Sequence, residues 1–167
     1  MLMTTMFKKP LLRVTLLAAL SLPALASAPA QQPFDAWAEQ LAQTMMRADP
    51  TQSTMRQYLP AEEQQRLDAQ LTPASRAHRL ERREAARQAL VQLQSYERAA
   101  LSQQQRSSAA LIEWSLRQTV KAGDFDDFDF PFNQFRGIHV GLVNFLSQAH
   151  PIRNATDVDN YLARLTQ

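Results

Sequence analysis

The chain has 167 residues, three glycines, no cysteine and a formal charge of +2, enough for one domain with a single core. Without cysteine there is no disulfide, thiolate zinc site, cysteine nucleophile or lipid-modified N-terminal Cys. The positive charge sits in the first thirty residues: without Lys8, Lys9 and Arg13 the balance is 15 basic to 16 acidic residues, or −1, which calls for neither nucleic acid nor an anionic membrane.

Residues 1–30 are expected to be a signal peptide. Lys8, Lys9 and Arg13 form the positive start, Leu11 to Leu22 the apolar run, and Pro23 precedes a small-residue region. Ala24-Leu25-Ala26 and Ala28-Pro29-Ala30 are the better cleavage sites. The apolar run is shorter than the roughly 20 residues a spanning helix needs. The expectation is an exported protein, periplasmic or secreted, with no stable membrane anchor after cleavage.

Residues 31–167 then form one domain, mainly α. Upstream of Gly123 the sequence has no glycine and favours Ala, Gln, Leu, Arg and Glu, which suit helices. Phe34, Trp37, Leu41, Met45 and Ala48 recur at helical spacing, and Asp49-Pro50 closes that helix. A short helix is expected over about 52–58, and another from Pro60 to near Leu71. Thr72-Pro73 signals a long helix reaching about Glu97, with Ala77, Leu80, Ala86, Leu90, Leu93 and Tyr96 as its apolar stripe. Its Arg76, Arg79, Arg82, Arg83 and Arg87 alternate with glutamates and read as a solvated face, not a nucleic-acid surface. His78 belongs to that surface.

Ser102 with Gln105 is a capping box for the next helix, which carries Leu111, Ile112, Trp114, Leu116 and Val120 and ends at Gly123. The two long helices predict an antiparallel αα-hairpin. Glu113 beside Trp114 is a candidate carboxylate of raised pKa if buried, and otherwise a surface acid.

From Phe125 to His150 the pattern changes. This stretch holds six of the eight phenylalanines and two of the three histidines. Phe128, Phe130 and Phe132 alternate with Asp127, Asp129 and Pro131, so an aromatic-rich extended loop is expected, with solvated acids between buried rings. Asp124 to Phe135 lacks the glycine and terminal glutamate of a calcium-binding EF-hand loop. Asn133, Gln134, Gly137 and His139 read as a loop bonding its own backbone. Short C-terminal helices follow, at 141–148 and after a Thr156/Asp159 cap, the last with Val158, Tyr161, Leu162 and Leu165 as its apolar face. If the termini are native, that helix lacks cap and neighbour and should fray.

No G-x-S-x-G elbow and no His-Glu pair occurs. His139 and His150 are read as loop residues bonding backbone, with a shared metal the lesser alternative. The set Phe130, Pro131, Phe132, Asn133, Gln134, Phe135, Gly137, then Leu142, Phe145, Leu146, His150, Pro151, Ile152, then Asp159, Tyr161, Leu162, Leu165, resembles the N-terminal part of the bacterial domain-of-unknown-function 885 family. The resemblance implies an exported, largely helical protein several times longer and similar to zinc-dependent gluzincin peptidases. It also implies that the His-Glu metal motif belongs to the C-terminal half. No position here matches that motif, so no ligand, catalytic base or cofactor is carried over, and zinc is implied only for full-length relatives. This chain then resembles a truncated portion, non-catalytic alone, whose partner is the missing C-terminal part or another chain docked on the aromatic stretch. The alternative is a stand-alone periplasmic helical interaction protein.

Overall fold

The structure is a computed structural model describing residues 32–128, 130, 132–135 and 137–167. The expected signal peptide, Asp129 and Pro131 lie outside the described residues. Seven α-helices make up the fold, and no strand occurs among the described residues: α1 (Phe34–Arg47), α2 (Pro50–Arg56), α3 (Ala61–Asp68), α4 (Arg76–Gln94), α5 (Gln103–Ala122), α6 (Ile138–Asn144) and α7 (Ala155–Leu165). A 3-10 segment, Gly123–Phe128, continues α5, and a π turn, Phe145–Ala149, continues α6.

The apolar core joins α1, α4 and α5. Phe34 and Trp37 meet Ala86, Ala89, Leu93 and Tyr96, with Ala109 and Leu116 from α5. Alanines at the α4–α5 seam let the two backbones approach, so the long pair packs closely. The first turns of α4 lie near the end of α5, where Arg83 reaches Gly123, so the two helices run in opposite directions. Phe34, Trp37 and Tyr96 form a ring cluster with centroids 5.5–5.8 Å apart, and the Tyr96 hydroxyl donates to the Gln32 carbonyl.

Several local readings hold. The Ser102/Gln105 capping box is present, and α1 ends before Asp49-Pro50, although Pro50 also starts α2, two residues earlier than expected. Others change. The long helix is capped by Ser75, whose hydroxyl accepts from the His78 amide. Thr72 instead donates to Asp49 and accepts from the Thr51 amide, tying the α3–α4 connection to the start of α2. Ala77 and Leu80 are exposed, because α5 covers only the later turns of α4. Leu111 and Trp114 point outward, opposite Ile112, Leu116 and Val120.

α2 and α3 pair with each other and receive α7. That second region is polar at its centre. No helix among the described residues is long and apolar enough to cross a membrane.

Candidate functional site

The aromatic stretch begins as a 3-10 turn, in which residues three apart share one edge. Phe125 and Phe128 therefore stand side by side, 6.4 Å between centroids, while Asp126 turns the other way, towards α4. There Arg83 donates to its carboxylate and Arg79 lies 3.8 Å away. A Cβ at position 123 would collide with the Arg83 guanidinium, so the glycine makes room for this clamp. The expected arrangement is reversed here. The rings are exposed, 77% for Phe128 and 78% for Phe135, and the half-buried group is an acid. The cause is the ion pair: two arginines of the supposedly solvated face hold Asp126 inward and leave the rings out.

Further on, Asn133 accepts from the Phe135 amide, and its backbone carbonyl accepts from the Gly137 amide. A Cβ at buried Gly137 would lie 2.8 Å from the Asn133 backbone nitrogen, so this tight loop requires glycine. Gln134 is exposed in the turn. His139, also exposed, stacks on exposed Phe132 with centroids 5.6 Å apart. Phe130 is exposed as well.

His150 is buried elsewhere, in a polar network built by α7. The Arg164 guanidinium donates to four acceptors: the Gln70 carbonyl at 2.9 Å, the Leu67 carbonyl at 3.0 Å, the Thr54 hydroxyl at 2.6 Å and His150 Nδ1 at 2.6 Å. Leu67 and Gln70 lie at the C-terminal end of α3, whose last carbonyls have no partner within the helix. A cation there also meets the negative end of the helix dipole. Arg164 thus caps α3 from 94–97 residues away. The Thr54 hydroxyl passes the contact on, donating to Asp68 at 2.7 Å. Asp68 is buried and also accepts from Gln64 at 2.9 Å. The Phe145 ring lies 4.9 Å from the guanidinium carbon. Burial pushes the Arg164 pKa down to about 10, with Asp68 acting in the opposite direction, so the group stays cationic at neutral pH.

Since arginine only donates, His150 Nδ1 accepts and its Nε2 carries the hydrogen donated to the Asp157 carbonyl at 3.2 Å. Both ring nitrogens are engaged. With His139 in the exposed first turn of α6, stacked on Phe132, and His150 in this network, the pair does not fit a zinc ion. Among the described residues no three His, Asp or Glu side chains converge to hold one.

Asp157 is buried and takes a bidentate bond from Arg153 (2.8 and 3.2 Å) plus its amide at 2.8 Å. The Arg153 guanidinium, then its amide, hold the carboxyl below the usual aspartate range. The lowered folded-state pKa means this stabilisation is complete above the unfolded aspartate value and lost as pH falls through the folded one. Arg153→Ala is therefore expected to move the acid unfolding midpoint to higher pH, read by circular dichroism between pH 5 and 2.

α7 is capped by Asn154, whose side chain accepts from the Asp157 amide, not by Thr156. Nor does it lack a neighbour: Asn160 and Gln167 bond the Gln65 and Ala69 carbonyls of the α3 region. Its inward face is polar. Val158, Leu162 and Leu165 point to solvent, while Tyr161 sits half-buried on His150, 5.3 Å between centroids, and Pro151 is half-buried. The signal for this was present: Arg153, Asp157, Asn160 and Arg164 recur at spacings of 4, 3 and 4.

One other sequence expectation also changes. His78 is mostly covered, with a buried Nε2 lacking a partner in the described structure. Glu113 takes the surface-acid alternative: its carboxyl is lowered by Arg117 first and also by Arg98, and Trp114 beside it is exposed.

A family model described as "Bacterial protein of unknown function (DUF885)" matches residues 50–167, more than half of the chain. The chain belongs to the DUF885 family. No curated protein and no solved structure matches it. In this DUF885 protein the match takes in both the aromatic stretch and the polar network. α1, which supplies Phe34 and Trp37 to the core, precedes it.

Proposed function

We propose that this DUF885 protein is the N-terminal helical region of a larger exported, metallopeptidase-like protein. It is non-catalytic by itself and works as a docking body. The observation that carries this reading is the exposure of Phe125, Phe128, Phe130, Phe132 and Phe135 within eleven residues. Such a cluster of bare rings is far from the ordinary surface of a finished soluble protein. Phe130, Phe132 and Phe135 lie in the segment where the family resemblance is most specific, and the Arg83–Asp126 clamp holds the turn carrying Phe125 and Phe128 in place. The occupant is the remainder of the longer polypeptide, or a separate chain supplying it. Zinc, if the longer form uses it, is held by residues outside this region.

The test is bis-ANS fluorescence on the chain lacking residues 1–30. Strong enhancement is expected, falling several-fold when Phe128, Phe132 and Phe135 are changed to serine, with cooperative unfolding kept. A cooperatively folded chain that leaves the dye dark overturns the docking role. Zinc-supplemented chain that cleaves a peptide, and loses this on His150→Ala, overturns the non-catalytic assignment.

A further inference from the structure

We infer that His150 makes the contact between α7 and α3 an acid-sensitive latch, closed while the imidazole is neutral and released when the ring takes a second proton.

The latch turns on one atom. His150 Nδ1 accepts from the Arg164 guanidinium at 2.6 Å, while Nε2 donates to the Asp157 carbonyl at 3.2 Å. A proton arriving on the neutral ring has only Nδ1 to occupy, and there it takes the lone pair that Arg164 uses. The contact then changes from a hydrogen bond into two cations facing each other. His150 is 8% exposed and Arg164 1%, so little water is present to screen them. Flipping the ring offers no escape, because an imidazolium donates from both nitrogens.

The charged groups around the ring do not reverse this. Asp157 is the nearest acid, but the Arg153 guanidinium holds both of its oxygens and adds a further cation. From α3, Asp68 accepts from Thr54 of α2 and from Gln64, and its charge acts on Arg164. The Phe145 ring of the π turn and the Tyr161 ring of α7 meet the imidazole edge-on. The carboxylates are thus engaged, while a guanidinium sits on the atom where the proton must land. Arg164 cannot turn aside alone, since it is fixed at the same time to the Gln70 and Leu67 carbonyls. Relief comes by withdrawing α7, which leaves α1, α4 and α5 on their own apolar core.

The sign follows from the proton count. The latched ring has no free site for a second proton and the released ring has one, so falling pH favours release. The release equilibrium then grows by up to about tenfold per pH unit once the pH drops below the ordinary imidazole value of about 6.5.

Amide exchange of the chain at pH 7.5, 6.5 and 5.5, corrected for the intrinsic rate at each pH, tests this. Protection of the α7 amides is expected to fall at least about fivefold between pH 6.5 and 5.5, while that of α4 and α5 changes less than about twofold. At pH 7.5 the ring nitrogen shifts should show Nδ1 of His150 bare and Nε2 protonated. His150→Asn keeps an oxygen that can accept from Arg164 but does not titrate, so its α7 protection should be flat over the same range. Wild-type α7 protection that holds steady to pH 5.5, an equal fall in α4 and α5, a folded His150→Asn chain that keeps the pH response, or a proton on Nδ1 at pH 7.5 overturns the proposal. Should the asparagine variant not fold, the wild-type protection and ring signals decide by themselves.

Discussion

Arg164→Ala is expected to destabilise the protein by about 3–5 kcal/mol, the range for removing one member of a buried charged network. The alanine leaves the Leu67 and Gln70 carbonyls, the Thr54 hydroxyl and His150 Nδ1 without their donor. Buried polar groups without partners account for most of that loss, since water cannot reach the site without opening α7 from α3. Arg164→Lys should recover less than half. One ammonium cannot reproduce the fork that reaches two carbonyls, a hydroxyl and a ring nitrogen at once. Urea melts of the three proteins decide the matter. A loss below 1 kcal/mol for alanine would show the network to be wet and α7 loosely held.

The second large effect belongs to the other half of the core. Trp37→Ala should cost about 3–5 kcal/mol, because Trp37 is 3% exposed and its ring packs on both Phe34 and Tyr96. The site cannot refill by collapse, since α1 already stands off α4 along a cleft of about 480 Å³ whose wall includes Leu41 and Met45. Position 37 precedes the family match, so the melt also reports whether α1 belongs to the same cooperative unit. One transition at lower denaturant is expected. Two transitions, or a shift below 1 kcal/mol, would make α1 an accessory to the α4–α5 pair.

Much of the architecture was legible because local rules and tertiary packing agree. The α1 stripe, Pro50, the Ser102/Gln105 box and the stop at Gly123 each act within one helix turn or two. The failures share a cause. Reading apolar residues as inward assumes that water lies on every other side, yet Val158, Leu162 and Leu165, the apolar face of α7, point to solvent. Arg153, Asp157, Asn160 and Arg164 have the same period on the opposite face, but only long-range partners in α2 and α3 make that face the buried one. The aromatic stretch was recognised as special from its composition. The burial of its acid and exposure of its rings could not be read locally, because Arg79 and Arg83 act on Asp126 across more than 40 residues.

Arg164 also orders events in time. Its acceptors on α2 and α3 precede it by up to 110 positions, and long-range closures form slowly. The α4–α5 pair needs only near neighbours and can assemble while the chain is still growing. Until the final helix emerges, Asp68 and the last carbonyls of α3 remain hydrated, and the early α2–α3 pair is an unfinished half. Folding of the α2–α3 region thereby waits for α7, with one guanidinium as the closing contact.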